Sequence, residues 1–190
     1  MIPLFYGGVF SASLLFAAIY LYIWHKHFDV NFTMIFTLVP VACLGYLLSS
    51  IVWTMDGAVI AQQVIYIGGI YLQLFIVFSI FNLCQINVPK WVRTLFFAVC
   101  CTVYASVLTI GHMDLFYTDM SFAVVNGNPV LTREYGFMHT VFYILVCTFL
   151  LTGLITILYS WLRKREVPRR ILLLLMIPDV ICVLTFFLVL

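Results

Sequence analysis

Three stretches of this chain, residues 2–24, 33–53 and 57–83, carry no charged side chain, and three more, 91–110, 137–162 and 171–190, carry at most one each. Each is close to the ~20 residues a helix needs to cross the apolar layer of a bilayer. Within lipid, a helix satisfies its backbone N–H and C=O groups inside its own segment, so such runs have one stable form. Charged residues make up only 8% of the chain against 65% hydrophobic, too little polar surface to coat a soluble domain. The fold class that follows is an all-α integral membrane protein: a six-helix transmembrane bundle forming one domain over residues 1–190. The start, MIPLFYGG, lacks the basic residues of a secretory signal, so the first run is expected to remain as a span.

The links set the orientation. Lys26 follows the first span, Lys90 and Arg93 flank the start of the fourth, and Arg163, Lys164, Arg165, Arg169 and Arg170 follow the fifth. These eight basic residues lie on one side and Arg133 alone on the other, which places the three basic links in the cytoplasm and the N-terminus outside. The same five-residue basic group after span five could attract anionic lipid, but it serves first as the topology signal. Pro40 is expected to kink the second span, and Arg93 to reach the headgroups. Between spans four and five, residues 111–136 form the one substantial loop. It reads as two short strands, 120–125 and 130–135, around Asn126-Gly127-Asn128-Pro129, hence an extracytoplasmic β-hairpin over the outer mouth of the bundle. Phe116, Phe122, Val124 and Val130 are expected to bury there.

The third span holds the polar pattern. Gln62, Tyr66, Gly69 and Gln73 are spaced four, three and four apart, so they share one helix face in an otherwise apolar segment. Lipid cannot satisfy carboxamides and a phenol, so this stripe faces other helices or a wet cavity, and Gly68–Gly69 lets a second backbone approach. Candidate ligand-binding residues are therefore Gln62, Tyr66 and Gln73, with Asp56 at the mouth of the stripe and His112, Asp114, Phe116, Tyr117 and Tyr135 in the loop. Asp179, near the middle of the sixth span, must face the interior, with Gln73, Tyr71 or Tyr66 as neutral partners. Against this stands a plainer alternative, in which the stripe only joins helices and the loop aromatics form the hairpin's own small core.

The six cysteines fall in or beside apolar runs without Cys-x-x-Cys or zinc spacing, and read as reduced, buried hydrophobes. His25 and His27 do not share a helix face and are no metal pair. Neither a catalytic motif nor a phosphate-binding loop is present, so the chain is expected to be non-enzymatic, to need no cofactor and to bind no nucleic acid.

Several segments resemble a known family, the N-terminal seven-helix membrane region of bacterial histidine kinases and diguanylate cyclases. Gln63-Val64-Ile65-Tyr66-Ile67-Gly68 is similar to the Gln-Tyr-Ile-Gly pattern of its third helix, with two residues inserted or shifted. His112-Met113-Asp114-Leu115-Phe116-Tyr117 before a strand, Arg133-Glu134-Tyr135-Gly136 before the fifth helix, the basic link and Pro178 in the sixth also fit. The resemblance spans essentially the whole chain, here expected to stop after helix six. It implies a sensory input domain in the bacterial inner membrane that relays an extracytoplasmic or membrane ligand to a cytoplasmic kinase or cyclase output domain in cis, with room for a homodimer. Two other functions fit the residues: a small transporter with the stripe along its route, although no inverted repeat is evident, and a ligand-free membrane scaffold.

Overall fold

The computed structural model describes residues 2–24, 26, 29–125, 128–163, 167–173, 175–177 and 180–181. Five helices in it are long and apolar enough to cross a membrane. They are α1 (Ile2–Ile19, continued by a π-helical turn Tyr20–Trp24), α2 (Val30–Ile51), α3 (Met55–Leu83), α4 (Lys90–Leu108) and α5 (Phe137–Arg163). Helix resumes after Pro168, over residues 169–173, 175–177 and 180–181. Between α4 and α5 lies an antiparallel hairpin of β1 (Tyr117–Val125) and β2 (Asn128–Tyr135).

Helix α3 is the axis of the bundle, as its polar stripe requires. Half of its most apolar stretch is buried, against 6% for the first span, so α1 is a peripheral, lipid-facing helix and α3 a central one. Helices α2, α4 and α5 all pack on α3. The α2–α3 crossing depends on missing side chains. A Cβ on Gly45 would lie 2.7 Å from the Ile65 backbone nitrogen, and one on Gly68 would collide with the Ala42 methyl. Small residues therefore bring the two backbones together where lipid supplies no hydrophobic drive of its own. On the other side of α3, Ile70, Leu74, Val77 and Phe78 interlock with Cys100, Val103 and Val107 of α4 and Leu145 and Phe149 of α5.

Capping fixes where the helices begin. The Asp29 carboxylate accepts hydrogen bonds from the N–H groups of Asn31 (2.9 Å) and Phe32 (3.2 Å), so α2 starts at Val30, three residues before the sequence pattern suggests. Thr54 caps α3 through Gly57 N–H (3.2 Å). Pro40 lies inside α2, which continues through it. Tyr20 is buried and stacked on Phe36 at 4.1 Å, while Tyr22 is exposed.

The hairpin is longer than its turn residues suggest, with β1 beginning at Tyr117 and β2 at Asn128. Its register pairs Val125 with Asn128 and Tyr117 with Tyr135, with an irregularity at Thr118. Its base packs on the bundle through α2, α3 and α5, and Phe116 is fully buried. The strand residues away from the base do not bury. Val124 and Val130 are 45% and 42% exposed, so the expectation that they would pack over the bundle is corrected: only the end nearest the helices finds an apolar surface. Gly136 joins β2 to α5, where any Cβ would lie 2.6 Å from the Leu115 carbonyl oxygen.

At the opposite end of the bundle, Asn82 at the close of α3 donates to the Asp29 carboxylate and accepts from Arg93 Nη2 at 3.1 Å. Arg93, expected to reach toward headgroups, is held instead on Asn82 and over the Phe78 ring. These hydrogen bonds outweigh partial burial and hold the Asp29 carboxyl below its ordinary pKa.

Candidate functional site

Tyr66 is the centre of the hairpin end of the bundle. Its hydroxyl lies 2.7 Å from the Tyr117 hydroxyl and 3.2 Å from His139 Nε2. Its ring meets Phe116 edge-on at 4.8 Å and Phe142 at 5.1 Å, geometries that suit the aromatic quadrupole. One helical turn earlier, Gln62 Oε1 accepts from Arg133 Nη1 at 2.6 Å. The Arg133 guanidinium also sits 5.5 Å from the centre of the Tyr117 ring, a cation–π arrangement, and hydrogen-bonds Tyr135. Burial pushes the Tyr117 phenol above its ordinary pKa, which keeps it protonated.

His139, two residues into α5, is only 2% exposed. The Tyr135 ring stacks on it at 4.0 Å and 12°, and Tyr143 meets it edge-on at 4.5 Å. Its Nε2 faces Tyr66, and its Nδ1 has no hydrogen-bond partner. A chain of polar groups thus runs from α5 through α3 into the hairpin, walled by aromatic rings.

Beside this chain lies a cavity of about 340 Å³, lined by Tyr46, Ser49, Gln62, Ile65, Tyr66, Gly69, Arg133 and Phe142. Its wall joins α2, α3, α5 and β2, and three of its residues belong to the polar stripe. A second cavity of about 260 Å³ lies under the loop, with His112, Asp114, Tyr117 and Asp119 on its lining.

The structure brings some sequence candidates together and separates others. Gln62 and Tyr66 line the larger cavity, with Phe116, Tyr117 and Tyr135 packed behind it. Gln73, one turn beyond Gly69, is half-buried and outside that lining. His112 and Asp114 belong to the second cavity, and Asp56 is exposed in the first turn of α3. Asp179 lies outside the described residues. Among the described residues, no group of three or more His, Cys, Asp or Glu side chains could hold a metal ion. The five described cysteines are free thiols.

Sequence reasoning missed Arg133 and His139 as site residues. Each left a signal. Arg133 is the one basic residue on its side of the membrane, and His139 is the one residue in the fifth apolar run that can carry a charge on either ring nitrogen.

No curated protein and no solved structure matches the chain. A family model does, described as the N-terminal 7TM region of histidine kinase, over residues 8–190. With that match across nearly its whole length and with its membrane-spanning helices, the chain belongs to the family of N-terminal seven-transmembrane regions of histidine kinases: it is a multi-pass membrane sensory input domain.

Proposed function

We propose that this domain senses a small ligand in the cavity between α2, α3, α5 and β2, entering from outside the cell or from the outer leaflet. The observation that carries the reading is the lining itself. A buried carboxamide, a phenol, a hydroxyl and a guanidinium converge on an open volume within an otherwise apolar bundle, the usual composition of a small-molecule site. The cavity also touches every element that would have to shift. Occupancy would alter the Arg133–Gln62 bond and the packing of Phe142 on α3, biasing the bundle between two arrangements.

In this reading the hairpin is extracytoplasmic, the basic links are cytoplasmic, and the signal passes to an output domain in cis, in a monomer or a homodimer. Labelling of Asn126→Cys on a cysteine-free background tests the orientation: modification only from the cytoplasmic side would reverse it. For the site, the test is to fill the cavity from two walls. Ser49→Trp and Gly69→Trp, placed separately in the full signalling protein, should fix its output at one level across growth conditions while membrane abundance stays unchanged. A full response range in both variants would refute the cavity as the sensing site.

A further inference from the structure

We infer that the ligand of this cavity is an amphiphilic anion, whose carboxylate or phosphate head docks on Arg133 and whose apolar body lies along Ile65, Gly69 and Phe142; this rests on the cavity being the sensing site. The argument begins with the charge of Arg133. A guanidinium stays protonated in any protein environment. Arg133 is half-buried, and its partners are the Gln62 carbonyl oxygen, the Tyr135 side chain and the face of the Tyr117 ring, all uncharged. Among the described residues no carboxylate pairs with it. The nearby acids of the hairpin, Asp119 and Glu134, are paired with each other in the strand register and exposed. Strand alternation turns Glu134 to the opposite face from Arg133. A partly buried cation without a counter-charge is costly unless something anionic completes it.

The rest of the lining selects the same sign. Arg133 only donates, so the oxygen of Gln62 must face it, which leaves the Gln62 NH₂ as a further donor at the cavity. Ser49 lines the cavity, and among the described residues its hydroxyl makes no hydrogen bond. One end of the cavity therefore offers a guanidinium, an amide NH₂ and a hydroxyl, a donor set suited to an oxyanion. Deeper along α3 the lining is Ile65, Gly69 and Phe142 with the rings of Tyr46 and Tyr66, and the Tyr66 hydroxyl is already taken up by Tyr117 and His139, so the wall there is mostly apolar. At about 340 Å³ the space lies at the small end of ligand sites. The same head chemistry could arrive on a free carboxylate from outside or on an anionic lipid from the outer leaflet.

The experiment uses the purified chain in nanodiscs of phosphatidylcholine alone, reading hydrogen exchange of α3 and the melting temperature. Decanoate, below its micellar concentration, should raise both protection and melting temperature, whereas decanol at equal concentration should not. In a parallel arm, phosphatidylglycerol replaces part of the lipid. A response to decanoate assigns a free anion, and a response to phosphatidylglycerol alone assigns a lipid. Arg133→Gln should weaken the effective ligand by about tenfold or more, Arg133→Lys should keep part of the response, and Ser49→Ala should reduce it without touching the arginine. Equal effects of decanoate and decanol, a response that persists in Arg133→Gln, or no response to either anion overturns the assignment. An equal response to the alcohol would still leave the cavity a binding site, whereas only unaltered signalling in the tryptophan-filled variants removes the site itself.

Discussion

Replacing Tyr66 with Phe removes one oxygen atom from the centre of the hairpin end and leaves the ring in place. The ring keeps its edge contacts with Phe116 and Phe142, so little packing is lost. What is lost is the bond to Tyr117 at 2.7 Å and the bond to His139 at 3.2 Å. A typical internal hydrogen bond contributes about 1 kcal/mol net, and a buried group left unpaired costs about 1–3 kcal/mol. Tyr117 is 4% exposed and His139 2%, so water does not readily replace the missing oxygen. His139 is the more exposed to harm in energetic terms, because its Nδ1 already lacks a partner and Nε2 would join it. Together these place the loss at about 2–4 kcal/mol. Reversible unfolding in mixed micelles measures it. Tyr117→Phe breaks the same bond from the other side, so the double variant should be less damaged than the sum of the singles, by about 0.5 kcal/mol or more. Tyr66→Phe within about 0.5 kcal/mol of the parent, or strict additivity in the double variant, would refute the view that this hydroxyl joins α3, α5 and the hairpin.

Gly68→Ala drives a methyl into Ala42 and should destabilise the α2–α3 crossing by about 1–3 kcal/mol in the same unfolding assay, with partial recovery when Ala42→Gly is added. Gly136→Ala sets a methyl against the Leu115 carbonyl and should loosen the hairpin base, read as faster hydrogen exchange at Gly136 and Met138 N–H, which bond to the Phe116 and Leu115 carbonyls. Asp29 titrates below its ordinary value of 3.8, so its contribution is present above that pH and lost as pH falls through the lower folded value. Being only partly buried, it contributes no more than about 1 kcal/mol. Asp29→Asn should therefore be the less stable protein at neutral pH and converge with the parent as pH falls through the carboxyl's lowered folded value, in acid titrations followed by circular dichroism; a gap unchanged by pH would exclude the ionised cap.

The spans were legible because charge is excluded from them, and α3 was legible as the centre because only a central helix can carry Gln62 and Tyr66 through a membrane. The hairpin was legible from Asn126-Gly127 and the alternation around it. Its extent was not, because pairing out to Tyr117 and Tyr135 depends on the helices that hold its base, a tertiary effect with no local signature. In the same way, Asp29 begins α2 earlier than hydropathy indicates because capping acts on backbone N–H groups, to which hydropathy is blind. The site was half legible. Spacing on one helix finds Gln62 and Tyr66, but it cannot say that β2 returns Arg133 over Gln62 across 71 residues, or that His139 reaches Tyr66 across 73. Gln73 shows the limit from the other side: it shares the stripe's spacing, yet the lining of the cavity along α3 ends at Gly69.

The bundle also constrains which helix can carry a signal away from the cavity. Gln62 and Asn82 are twenty residues apart on α3, about 30 Å along a helix, so the two ends communicate only if a helix moves as a body. The α2–α3 crossing has no slack, with Gly45 and Gly68 in direct contact with Ile65 and Ala42. Asn82 ties α3 to the starts of both α2 and α4 through Asp29 and Arg93. Between α3 and α5 the fit is looser: a methyl on Gly69 would meet Phe142 at 3.8 Å, an ordinary contact. An occupant pushes on the walls it touches, and on the side away from the tight α2–α3 crossing those walls are α5 and β2. An occupant of the cavity is therefore expected to displace α5 and the hairpin against a fixed α2–α3–α4 unit, and α5 runs on to Arg163 at the basic link. Spin labels on exposed positions Ile60 of α3 and Ile144 of α5 should change separation when Ser49→Trp fills the cavity, while a pair at Ile60 and Ile51 of α2 should not. A change confined to the α2–α3 pair would place the moving seam on the wrong side of α3.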